Sequence, residues 1–406
     1  MTPVTPEAAT GRIAGVYGQA ATDFGLARMP VLMTLSPAPD LLAATWALLR
    51  ESLVAGPASR TGREVVALGV SVANRCPYCV AAHTTLLHAT GDHRLAEDIA
   101  RGGTPADPGH AALLRWATAT RTTSATSATG TASTTDATST ADARGTVDAT
   151  DATDATGTAG AAGAASTTDA ANAAYATDTT DTTDTTRPLT APFPAEHTAE
   201  YVGTALTFHF VNRVASSLLT DSMLPGRLQD SRLVRNLGGR VLARTVRRRF
   251  PAGESLPLLA GPVTTPEPAW AGGTPVGTAF AALREAAGTG RALLGERARA
   301  TVLEAVRGWD GEHPAMGGGW LDGPLAGLPG ADRPGARLAL LAALAPYRVT
   351  DADVAAWRVT HPDDADLVRL LAYGAITAVE GVEASIRRAL PVPSGAGSRP
   401  TPPPSP

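Results

Sequence analysis

The sequence predicts an all-α protein on three observations. Apolar residues recur at helical spacing along most of the chain, and many of these runs open on a capping residue or proline or close on glycine. No convincing pair of alternating strands interrupts them. Asp40 caps the first run, carrying Leu41, Leu42, Trp46, Leu49 and Leu53 to a stop at Gly56-Pro57. Thr61-Gly-Arg-Glu64 opens the next, with Val65, Leu68 and Val72, stopping near Asn74. A third begins at Cys76-Pro77 and ends at Gly91, where glycine suits the left-handed position after a helix. Asp92 starts a fourth, ended by Gly102-Gly103, and Gly109 to Ala117 forms a fifth. Glu196 to Leu219 reads as a long amphipathic helix through Phe208, Phe210 and Val214. Later helices are expected at Ala279–Ala287, Glu296–Trp309, Ala336–Leu344, Asp351–Trp357 and Asp364–Ser385.

The stretch from Thr118 to Thr186 breaks this pattern. It is built of Thr, Ala, Asp, Ser and Gly, with repeats such as Asp148-Ala-Thr-Asp-Ala-Thr, and Tyr175 is its one aromatic. So little apolar surface cannot offset the entropy of ordering, so a disordered insert is expected within a helical domain rather than between two. The expected organisation is a first helical part over 1–117, the insert over 118–186 and the remainder of that domain over 187–250. A linker over 251–275, a second helical unit over 276–390 and a Pro-rich tail over 391–406 complete the chain. Val349-Thr-Asp-Ala-Asp-Val opens a helix as Asp40 and Asp92 do, which suggests that the second unit is a degenerate tandem copy. It contains no cysteine.

Composition narrows the chemistry. The chain has 406 residues and a formal charge of −4, no footprint for nucleic acid or an anionic membrane surface. Arg247, Arg248 and Arg249 read as a solvated helix end. There is no lysine, which removes Schiff-base chemistry and Walker-type phosphate loops. No run of eighteen apolar residues predicts a membrane span, and the N-terminus lacks a secretory pattern, so a cytoplasmic protein is expected. Trp309, Trp320 and Trp357 read as core.

The only two cysteines, Cys76 and Cys79, stand together at i, i+3, with His83 one turn further. At about 100° per residue the three side chains fall within about 60° of arc. Cys76 sits at the expected N-cap, where unpaired N–H groups favour a thiolate. Two thiols beside an imidazole are the arrangement that proton transfer at sulfur requires. Glu64 has two readings: a capping box with Thr61, or a carboxylate that orients His83. Zinc is the chemical rival, through Cys76, Cys79, His83 and His88, but one helix cannot wrap a tetrahedral ion with four of its own residues. His88 and His93 read as ordinary, partly exposed histidines and Tyr78 as a packed residue. His209, Asn212 and Arg213 share a face that either lines a site or subunit contact or forms a solvated stripe.

Glu64, eleven residues, Cys76-Pro-Tyr-Cys79 and then His83 resemble the signature of the alkylhydroperoxidase D-like branch of the carboxymuconolactone decarboxylase superfamily. The surrounding Val70-Ser-Val-Ala-Asn-Arg-Cys-Pro-Tyr-Cys-Val-Ala-Ala-His and the later Val202-Gly-Thr-Ala-Leu-Thr-Phe-His-Phe-Val-Asn-Arg resemble it too. The resemblance covers about residues 35 to 220 without the insert. It implies an AhpD-like helical bundle that forms a homo-oligomer, and a hydroperoxide as substrate. In that reading Cys79 attacks the peroxide, Cys76 resolves the sulfenic acid, His83 is the base and Glu64 completes the relay. The family's best-known peroxidase has a histidine just before the second cysteine, whereas this chain has Tyr78. Sulfur carries the electrons, so no metal, flavin or nucleotide cofactor is expected, and an external thiol or lipoyl-type protein donor is implied. A decarboxylase, which does not require the cysteine pair, and a non-catalytic redox sensor are the alternatives.

Overall fold

A computed structural model describes residues 1–121, 189–219 and 242–390. The tail expected over 391–406, and all but residues 118–121 of the expected insert, lie outside the described residues. Among the described residues there are helices and no sheet; one isolated bridge joins Ala55 to Phe250. The fold is all-α, as the periodicity predicts.

Two helices precede the expected first one: α1 (Gly11–Phe24) and α2 (Pro30–Leu35). Neither has a side-chain cap, which is why capping signals do not reveal them. Helix α3 (Pro39–Leu49) gives way to a π turn, Arg50–Val54, before Gly56, so the helix expected to reach Leu53 changes its hydrogen bonding at Arg50. Helices α4 (Arg60–Ala73), α5 (Pro77–Thr90), α6 (His93–Ala100) and α7 (Pro108–Ala119) follow. Helix α7 runs two residues past the expected boundary at 117. Gly91 takes φ 110° at the end of α5, the left-handed geometry its position requires. Arg247, Arg248 and Arg249 are exposed, as a solvated cluster requires, and Arg247 also donates to the carbonyl of Ala89 in the last turn of α5.

Helix α8 (Thr198–Leu218) differs from expectation in character. Every residue from Ala199 to Ala215 is buried, so it is a central helix with no solvated face along that length. His209, Asn212 and Arg213 are therefore buried, and the solvated-stripe reading is overturned. The cause is crowding: α3, α4 and α14 (Asp364–Ala389) all pack against α8, and α4 also packs against α5 and α7.

The remaining helices are α9 (Pro275–Gly288), α10 (Glu296–Arg307), α11 (Asp322–Ala326), α12 (Arg333–Leu344) and α13 (Asp351–Arg358). One hydrophobic core runs from Val16, Leu42, Val66 and Phe208 to Phe280 and Val379, joining helices of both halves. A second is built within the later half from Leu294, Val302, Leu338, Trp357 and Leu371. Each fully buried leucine in them contributes about 1.5–3 kcal/mol relative to exposure. Trp309 and Trp357 are buried as expected, whereas Trp320 is only half-buried. Residues 251–275 contain two 3₁₀ turns, Leu256–Leu258 and Ala269–Ala271, and rest Leu256, Val263 and Trp270 on the first core.

Candidate active site

The junction between α4 and α5 places Cys76. The N–H of Cys76 bonds to the Ser71 carbonyl at 3.1 Å and that of Arg75 to the Val72 carbonyl at 3.0 Å, a Schellman pair that ends α4. Arg75 takes φ 52°, a left-handed conformation usually left to glycine. Cys76 leaves this turn directly as the N-cap of α5, and its sulfur accepts the N–H of Cys79 at 3.4 Å. Pro77 fills the first helical position, where its missing N–H has no cost. The two sulfurs form a disulfide across a Cα separation of 5.3 Å, and both cysteines are buried.

His83 follows Cys79 by one turn of α5, where i, i+4 side chains are neighbours, about 5–6 Å apart at Cβ. Its Nδ1 lies 2.7 Å from Glu64 Oε2, and its ring meets the Phe208 ring edge-on at 4.3 Å between centroids. Glu64, on α4, is fully buried. Burial opposes its charge, but the Arg60 guanidinium and His83 outweigh that and hold its carboxyl below the usual glutamate range. Arg60 supplies the counter-charge, with Nε 2.9 Å and Nη2 2.8 Å from Glu64 Oε1. An ionised Glu64 can only accept, so Nδ1 of His83 carries the proton and donates it. Nε2, which makes no hydrogen bond among the described residues, is then the basic nitrogen.

The capping-box reading of Glu64 fails. Ser59 is the N-cap of α4, accepting from Gly62 N at 3.3 Å, and Thr61 already lies inside the helix. Arg60 is a site residue that the sequence reading omits; its signal is the i, i+4 spacing to Glu64. Phe208 stands far away in sequence, and nothing local marks it as the ring against His83. Tyr78 packs on the core, and burial pushes its hydroxyl up to about 12, which leaves it protonated and poor as an acid near neutrality. His93 is exposed as expected, but His88 is buried: its Nε2 is 3.0 Å from Glu97 Oε1 and its Nδ1 is 2.6 Å from His93 Nδ1. Among the described residues no group of three or more His, Cys, Asp or Glu side chains could hold a metal ion, and no helix is long and apolar enough to cross a membrane.

Residues 39–119 match the model of the carboxymuconolactone decarboxylase family. A Mycobacterium tuberculosis protein named as an alkyl hydroperoxide reductase is 35% identical over 384 residues, covering 94% of this chain and 92% of that protein. The chain belongs to the carboxymuconolactone decarboxylase family. The matched span runs from α3 through α7, so Glu64, Cys76, Cys79 and His83 lie inside the family region while Phe208 lies outside it. No solved structure matches the chain at a significant level.

Proposed function

We propose that this family member is a thiol-dependent hydroperoxide reductase that cycles Cys76 and Cys79 between dithiol and disulfide. The observation that carries the reading is the buried Glu64–His83 hydrogen bond of 2.7 Å, which leaves a basic ring nitrogen one helical turn from Cys79. The name of the mycobacterial relative supports a hydroperoxide as substrate.

His83 Nε2 takes the thiol proton of Cys79. The thiolate attacks one peroxide oxygen, the O–O bond breaks, and the products are a Cys79 sulfenic acid and an alcohol whose oxygen recovers a proton from His83. His83, neutral again, takes the thiol proton of Cys76, the Cys76 thiolate attacks the sulfenic sulfur, and the proton goes to the departing hydroxyl. Water leaves and the disulfide forms. An external dithiol or lipoyl-type donor returns two electrons and two protons. Dependence on such a donor suits a reducing cytoplasm, and a homo-oligomer is the expected form.

The test counts free thiols in the reduced full-length protein after addition of an organic hydroperoxide, then follows turnover with a dithiol donor. The expected result is loss of two thiols per chain, formation of one alcohol per peroxide, and abolition of both in Cys79→Ser. Unchanged thiols would sink the peroxidase and favour a decarboxylase-type reaction. Stoichiometric oxidation without turnover under any dithiol would favour a redox sensor.

A further inference from the structure

Arg121, just past the end of α7, and Arg213, on α8, take no part in the proposed redox chemistry. Only 6% of Arg121 and 3% of Arg213 is exposed, yet neither forms an ion pair among the described residues. Both guanidinium carbons lie 5.6 Å from the centre of the Trp309 ring. Arg213 is held by carbonyls: its Nε donates to Ala343 at 2.8 Å and its Nη1 to His209 at 2.7 Å. Nη2 of Arg121 is buried and has no hydrogen-bond partner among the described residues. The acids that act on Arg121 from a distance, Glu312 and Asp310, are not buried with it.

The negative charge that Arg121 feels thus comes from exposed acids, and the buried histidines beside the pair are neutral. His209 donates from Nε2 to Thr120 Oγ1 at 2.8 Å and accepts from Asn74 Nδ2 at 3.2 Å. His313 donates from Nε2 to the Ala73 carbonyl at 3.1 Å and accepts from the Tyr347 hydroxyl at 3.1 Å. Burial and the arginine charges keep both rings neutral: His209 falls well below its usual value, and His313 falls to about 3. The exposed Arg75 adds a third positive charge felt by Arg121 and His313. Buried charges are ordinarily paired, and a planar guanidinium fork matches the oxygens of a carboxylate or phosphate. A buried donor without a partner among the described residues, near a second cation that forms no ion pair there, describes a site that calls for an anion.

We propose that Arg121 and Arg213, seated on Trp309, form a binding site for a small oxyanion of the carboxylate or phosphate type. The site is separate from the cysteine pair, and its reality does not depend on the redox reading.

Calorimetric titration of the full-length protein with sodium phosphate and with sodium acetate, at ionic strength held constant with sodium chloride, tests this. Saturable binding of at least one is expected, with the arm that binds telling phosphate from carboxylate. Arg121→Gln and Arg121→Lys should weaken it by about 10-fold or more, because the first loses the charge and the second the fork. Arg121→Lys keeps the test usable should Arg121→Gln not fold. No saturable binding of either anion, or equal affinity in a folded Arg121 variant, overturns the site.

Discussion

The candidate redox site and the Arg121–Arg213 pair bury charge in opposite ways. At Glu64 one buried carboxylate has two hydrogen-bond donors, the Arg60 guanidinium and His83 Nδ1, and both oxygens are bonded. At Trp309 two buried cations form no ion pair among the described residues: Arg213 bonds to carbonyls, and one nitrogen of Arg121 bonds to nothing there. Arg50 shows that this fold can pair a buried arginine fully: Asp23, Glu51 and Glu254 all bond to it. Arg63 is the intermediate case, buried and bonded only to carbonyls, with one nitrogen lacking a partner, but no second buried arginine shares an aromatic ring with it as Arg213 does with Arg121. A complete network orients a group for chemistry; an incomplete one needs something from outside.

The comparison can be broken first at the redox site. His83→Ala removes the base and should slow peroxide-driven disulfide formation by about 10²- to 10⁴-fold, read by stopped-flow thiol loss. A rate within about twofold of the parent would remove His83 from the mechanism. At the paired extreme, Arg50→Met strands the buried Asp23 and Glu51 carboxylates and should cost about 3–5 kcal/mol in urea unfolding. A near-neutral result would mean that this network relaxes as readily as the unpaired one.

Glu64 sharpens the contrast through pH. It titrates in the folded protein below its ordinary value of 4.5, so its contribution to stability is fully present above that value. That contribution is lost as pH falls through the lower folded value. Glu64→Gln should thus flatten the acid limb of stability and slow thiol oxidation less than His83→Ala does; an identical acid limb in parent and variant would refute the ionised state. The smallest effect separates the two cap readings: Ser59→Ala should cost about 1 kcal/mol and Thr61→Ala less than about 0.5 kcal/mol in thermal unfolding.

Much of the fold is legible in the sequence because its signals are local. Gly91, Asp92 and Pro77 carry their helix ends in their own chemistry, and all three stand where the sequence places them. Cys76, Cys79 and His83 share one helix, so their grouping follows from spacing alone. The start of α4 lies two residues before the one the sequence suggests, because Thr61 imitates a cap that Ser59 provides. The turn at Arg75 lacks the glycine that would have announced it.

By itself the sequence determined the helical class, the pairing of two thiols with an imidazole on one helix, and the absence of lysine chemistry, since each depends on composition or on residues near one another in the chain. Only the tertiary structure decided that Glu64 faces His83, that Phe208 packs on that ring, that α8 is buried along most of its length and that Arg121 meets Arg213 at Trp309. These contacts join residues on different elements, and burial, which sets their charge and their partners, exists only once the helices have packed.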